Sequence, residues 1–147
     1  MWISTDPIYI PFICRQLMLE PQMNSQCIVC GDADGLVAGV VYEHYNTVSV
    51  TTHIWIEYGR TPSRDWYAAI FDYPFNRLGV KKLIGKVAED NMDAVKLDAH
   101  FGFELEATVE DYSPSGALRI YTMVREQCRI LNSPLWARTV SRVATCR

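Results

Sequence analysis

The stretch VAEDNMDAVKLDAHFGFE, residues 87–104, contains a helix with both of its ends marked. Ala94, Val95, Leu97 and Phe101 recur at the spacing of one helical face. Asp90 or Asn91 stands where a side-chain oxygen caps the first turn, and Gly102 stands where the last turn stops. The helix therefore covers residues 91–101. Upstream, residues 80–88 read as a strand, and residues 103–109 read as another, so the stretch is one strand, one helix and one strand.

Working toward the N-terminus, a second helix begins near Thr61-Pro62, with Thr61 as cap and Pro62 in the first helical position, whose N–H has no partner inside a helix. Tyr67, Ile70, Phe71, Pro74 and Leu78 mark its buried face. Pro74 removes one helical hydrogen bond and clashes with the carbonyl four residues earlier, which predicts a kink before Gly79 ends the helix. Before it lie three β-rich runs, residues 26–30, 36–45 and 48–56, separated by the turn material GDADG (31–35) and Asn46-Thr47. They read as an antiparallel meander. In the third run Val48, Val50, Thr52, Ile54 and Ile56 share one face; Ser49, Thr51, His53 and Trp55 share the other. A short helix over residues 8–19, closed by Pro21, precedes them. Toward the C-terminus come a loop at 110–116 and an alternating strand at 118–124. A stripe of Leu135, Trp136, Val140 and Val143 follows, belonging to a terminal helix that is either docked or free to bind a partner. The division expected is a domain over residues 1–131 and a tail over 132–147.

A chain of 147 residues that is 49% apolar and 21% charged has material for one sizeable core. The net charge of −3 offers nothing to pull the protein onto a phosphate backbone, so nucleic acid is not implied. The longest apolar runs fall well short of the roughly 20 residues a membrane helix needs. The opening MWISTDPIYIPFICR has an acidic residue and prolines where a signal peptide has a basic start and an apolar run. No membrane is expected, and a cytoplasmic location is. Cys14, Cys27, Cys30, Cys128 and Cys146 are odd in number and unevenly spaced, which predicts free thiols. Strand alternation sends Cys27 and Cys30 to opposite faces, so that pair makes no metal site. Asp32-x-Asp34 reads as a hairpin turn, because Leu36 and Val37 stand where a calcium loop needs an oxygen ligand and a glycine. No metal is expected.

The helix–strand order, together with Asn91, Ala94, Leu97, Gly102 and Phe103 at their spacing, resembles the GNAT N-acyltransferases. Ile70-Phe71-Asp72-Tyr73-Pro74-Phe75, Leu78-Gly79-Val80 and Tyr121-Thr-Met-Val-Arg-Glu extend the likeness, which covers residues 26–131. A looser similarity is to GNAT-like proteins of tailed bacteriophages. The resemblance implies an α/β fold: a mixed, mostly antiparallel central sheet, helices on both faces, and a parallel strand pair that splays apart to admit acetyl-CoA or CoA. That pair would be the strand ending at Ile56 and the strand 81–88. Ile54, Trp55 and Ile56 would lie along the cofactor and polarise the thioester through backbone N–H. The loop Gly59, Arg60, Thr61, Ser63 and Arg64 would hold the pyrophosphate at a helix N-terminus, where orphan N–H groups and the helix dipole make an anion site. This loop departs from the family's glycine-rich pattern, keeping only Gly59, and Arg60 and Arg64 could restore the charge.

Asn91 would contact the cofactor arm near its sulfur, in addition to capping its helix. Where many family members carry a tyrosine that protonates the departing thiolate, this chain has Asp98, which reads as a helix-surface residue. His53 and Glu57, with Glu43, are the candidates to deprotonate an amine. The implied activity is transfer of acetyl from the CoA thioester to an amine acceptor, a small molecule or a protein. The alternative is a catalytically weak binding module of the same fold, phage-encoded and acting on a host protein in the host cytoplasm.

Overall fold

A computed structural model describes residues 1–145, so Cys146 lies outside the described residues. The elements in chain order are β1 (Trp2–Ser4), α1 (Ile10–Gln16), β2 (Gln26–Asp32), β3 (Gly35–Glu43), β4 (Ser49–Ile56), α2 (Arg64–Asp72), β5 (Lys82–Ala88), α3 (Met92–Phe101), β6 (Glu104–Ser113), β7 (Gly116–Val124), α4 (Arg129–Asn132) and α5 (Ala137–Thr145). The strands form a seven-stranded sheet in the order β1-β2-β3-β4-β5-β7-β6. Every neighbouring pair is antiparallel except β4–β5, which is parallel. This is the mixed α/β architecture that the resemblance implies.

The meander forms as the turn residues require. Ala33-Asp34 closes the β2–β3 hairpin, where the Asp34 N–H donates to Asp32 Oδ1 at 2.9 Å. β1 was not expected from the sequence. Three residues are too few to show a period, and Trp2 is held there by stacking on Tyr9 and by its Nε1–H donating to the Asp32 carbonyl.

Alternation along the strands divides the apolar residues between two cores. On one face α1 packs Ile10, Ile13 and Cys14 against Cys27, Val29, Val41 and Trp55. It can come this close because β3 has glycine at 39; a Cβ there would lie 2.5 Å from Ile13 Cδ1. On the other face α2 to α5 bury Trp66, Ile70, Phe71, Phe101, Ile130 and Val143 against Cys30, Val40, Tyr42, Val50, Leu83 and Met123. Cys27 and Cys30 thus face opposite cores, and the four described cysteines are free and buried. The C-terminal stripe docks through Trp136, Val140 and Val143, with Leu135 left exposed: α5 packs on α2, Thr139 and Val143 are buried and Arg142 pairs with Asp65.

Three expectations need correction. The cap of α2 is Ser63, not Thr61: Ser63 is extended, its Oγ accepts from the Trp66 N–H at 3.2 Å, and Pro62 lies outside the helix. Residues 110–116 are not an open loop, because β6 runs to Ser113 and pairs with Gly116 of β7 through irregular register. Asp98 is not on the surface; it is buried, for a reason given below.

Pro74 acts as expected. α2 ends at Asp72 and continues as a π-helical turn over Tyr73–Arg77, with Leu78 N–H reaching back to the Tyr73 carbonyl. The Ile70 carbonyl, which a residue with an N–H at position 74 would have satisfied, accepts from the buried Tyr42 hydroxyl instead. At the end of α3, Gly102 adopts φ 111°, and a Cβ there would stand 2.0 Å from the Gln127 carbonyl oxygen. Only glycine fits both demands.

Candidate functional site

The parallel pair β4–β5 holds together over only Ser49↔Lys82, Val50↔Leu83 and Thr51↔Ile84. Past that rung, residues 52–56 of β4 and 85–88 of β5 have no ladder between them, and the two strands diverge. The Glu57 N–H donates to the Val37 carbonyl, toward β3. Backbone groups alternate sides along a strand, so the N–H groups of Ile54 and Ile56 face the gap. An opening in a sheet with unpaired backbone donors on its edge is a place for an extended polar ligand. Ile54 and Ile56 share the face packed on α2, while Trp55 lies against Phe12 on the α1 face.

The loop leaving β4 turns at Tyr58-Gly59, where Gly59 has φ 73°, and delivers the chain to the start of α2. The Ser63 hydroxyl takes the Trp66 amide. This leaves the amides of Arg64 and Asp65 as first-turn donors that no carbonyl inside the helix reaches. Both arginines of the loop are already engaged. Arg60 pairs with Asp32 and holds that carboxyl below its usual range. Arg64 Nη2 donates to the Leu135 carbonyl at 2.8 Å, and its guanidinium lies 4.0 Å from the Trp136 ring centroid. Thr61 is exposed.

On the α2–α3 side of the gap stands Asp98, only 8% exposed. Its Oδ2 is 3.4 Å from where a Cβ on Gly85 would be, and Gly85 is the first residue of β5 beyond the last rung. The carboxyl has no hydrogen-bond or ion-pair partner among the described residues, and burial alone pushes it up to about 7. Its position follows from the helix: the face that turns Ala94 and Phe101 inward includes position 98, four residues from one and three from the other. At α3's start Asn91 Oδ1 accepts from the Ala94 N–H at 3.2 Å, so the cap role expected of it is present and its Nδ2 carries no such bond.

On the α1 side of the gap, His53 Nε2 lies 2.7 Å from Glu43 Oε1, both side chains being 10% exposed. His53 pairs with Val41 and Glu43 with Thr51, which makes them diagonal neighbours on one face of β3–β4. With Nε2–H donating to the carboxylate, Nδ1 is the free basic nitrogen. Glu57, past the end of β4, is exposed and stands apart from this pair. The site thus brings together a gap with backbone donors, a buried carboxyl on one side and a histidine–carboxylate pair on the other. Sequence reasoning places Asp98 on the helix surface although its helical spacing carried the signal of burial, and it puts Leu135 and Trp136 on an apolar stripe without their contacts to Arg64, because contacts across 71 residues leave no local trace.

No protein-family model matches the chain, and no curated protein matches it. Solved structures do. A spermidine N-acetyltransferase SpeG chimera from Vibrio cholerae and hSSAT superposes with a TM-score of 0.69 at 18% identity, over 85% of this chain and 96% of that one. The Vibrio cholerae spermidine N-acetyltransferase in complex with CoA and spermine gives 0.61 at 19%, over 84% and 78%. The Campylobacter jejuni N-acetyltransferase PseH in complex with acetyl coenzyme A gives 0.56 at 14%, over 80% and 78%. At these identities the likeness is one of architecture, and the fold of this chain is that of the GNAT N-acetyltransferases.

Proposed function

We propose that the protein transfers an acyl group, acetyl in the first instance, from acyl-CoA to a primary amine. The observation that carries this reading is the parting of β4 from β5 after Thr51↔Ile84 in a sheet of this fold. When bound, the CoA thioester supplies the activated acyl group. Ile54 and Ile56 would hold it through their gap-facing N–H groups and polarise its carbonyl oxygen, a contribution that for one well-placed donor is about 10²–10³ in rate. The first turn of α2 would hold the diphosphate. His53, oriented by Glu43, takes the proton of the incoming amine at Nδ1. Asp98 holds a proton at its carboxyl on the opposite side, where the sulfur leaves. A carboxyl near 7 is half-protonated at neutral pH and so can donate. Free thiols and an acyl-CoA donor suit the cytoplasm.

One observation favours a second reading, a binding module of this fold acting on a host protein: Arg60 and Arg64 are both engaged within the fold. Calorimetric titration with acetyl-CoA and CoA, followed by mass spectrometry of a polyamine and amino-sugar panel, separates the two. Micromolar binding with acetyl transfer is expected; absence of binding to either cofactor leaves the module.

A further inference from the structure

Between α2 and α3 lies a cavity of about 320 Å³ whose walls include Tyr67, Leu97, Phe101 and Ile130 and whose rim is Ser133 and Trp136. It sits beside the first turn of α2, the turn to which the proposed function assigns the diphosphate. Residues 133–136 cross here between two fixed ends. One is α4, where Ile130 is buried and Asn132 Nδ2 donates to the carbonyls of Arg125 and Cys128 at 2.7 and 2.8 Å. The other is α5, with Thr139 and Val143 buried.

The crossing itself is held lightly. Leu135 is 83% exposed, so its side chain contributes almost nothing. What holds the segment to α2 is the Arg64 bond to the Leu135 carbonyl, the Arg64 guanidinium over Trp136, and the Trp136 edge against Tyr67. All three contacts are made to the first turn of α2, two of them to a cation. A cation bonded to one carbonyl and one ring faces an anion at higher advantage, because a guanidinium binds phosphate oxygens through two parallel charge-assisted bonds. Trp136 is the side chain of the crossing that packs on the main core, while Pro134 and Leu135 are exposed, and a segment with so few apolar contacts between firm anchors is the kind that opens locally at small free energy.

We propose that residues 133–136 are a gate at the first turn of α2: closed, they hold Arg64; open, they yield Arg64 and that turn to the diphosphate. This rests on the acyl-CoA reading above. The apparent affinity of the closed protein is reduced by the fraction of time the gate is open. Loosening the gate therefore tightens binding, the opposite of what loss of an ordinary contact does.

The test uses the full chain, with CoA as probe. Trp136→Ala should tighten the calorimetric Kd by about 2- to 30-fold, the factor a cation–π contact of ordinary strength corresponds to, and Trp136→Phe should stay near wild type. Hydrogen exchange of the wild type supplies a second readout. The Trp136 amide, bonded to the Ser133 carbonyl at 3.0 Å, should exchange faster when CoA is saturating. Binding by Trp136→Ala alone, with none by wild type, also supports the gate. Equal or weaker binding by Trp136→Ala together with slower exchange at Trp136 overturns the gate and leaves the acyl-CoA reading standing. Failure of every form to bind CoA overturns both.

Discussion

Asp98→Asn separates stability from catalysis in a way that few single changes do. In the folded protein burial raises this carboxyl from 3.8 to about 7, so between those values the folded state holds a proton that the unfolded chain has released. Stability from this group is therefore fully present below about pH 4 and is lost as pH rises to about 7. Each pKa unit is worth about 1.4 kcal/mol, so the loss approaches about 4 kcal/mol as an upper bound. Asparagine fills the same space, cannot ionise, and loses nothing over that range. The variant should match wild type at pH 4.5 to within about 1 kcal/mol and exceed it by about 2–4 kcal/mol at pH 8. Urea unfolding at pH 4.5, 6 and 8 reads this directly. The same variant should lose about 100-fold or more in kcat, because it holds no transferable proton at the sulfur side. In the wild type, kcat should fall as pH rises through about 7, where the proton leaves Asp98. Parallel pH–stability curves for the two proteins would refute the burial argument. Undiminished kcat in a more stable variant would refute the proton-donor role.

Asn91→Ser keeps an oxygen for the Ala94 amide, so its melting temperature should stay within a few degrees of wild type while CoA binds less tightly; equal affinity makes Asn91 a cap alone. Tyr42→Phe strands the Ile70 carbonyl that Pro74 cannot satisfy, and should cost about 1–3 kcal/mol in urea unfolding; no loss means that water replaces the hydroxyl. Gly102→Ala drives a methyl into the Gln127 carbonyl at a positive φ and should lower the melting temperature by more than 10 °C or abolish soluble expression, with native-like melting as the contrary result.

The parts of the fold that local chemistry decides were readable from sequence. Asn91 and Gly102 bracket α3 because a cap oxygen and a left-handed glycine act within one turn, and the β2–β4 meander follows from alternation and two polar turns. At the start of α2 Pro62 gives Thr61 the pattern of a cap, whereas Ser63 two residues later has the extended backbone and the capping oxygen. His53 and Glu43 were visible as separate residues, but their pairing depends on the register between β3 and β4, which no local pattern states. The charge of Asp98 points it to the surface, while its helical neighbours Ala94 and Phe101 already place it inward. The contacts of residues 133–136 depend on how the C-terminal segment crosses two helices, which sequence spacing does not encode.

β4 and β5 are joined by three rungs, Ser49↔Lys82, Val50↔Leu83 and Thr51↔Ile84. Among the described residues they are the only ladder joining β1–β4 to β5–β7, so the sheet is two plates riveted along a short seam, with α2 and α3 bridging it on one side. A ligand whose amide groups ran along the open part of that seam would act as a surrogate strand, completing the sheet that the chain leaves unfinished. Its binding would then stiffen the sheet on both sides of the seam, not one pocket, adding about 2.7 kcal/mol of stability at a hundred times its Kd. Amides on both plates, far from any contact with it, would become slower to exchange.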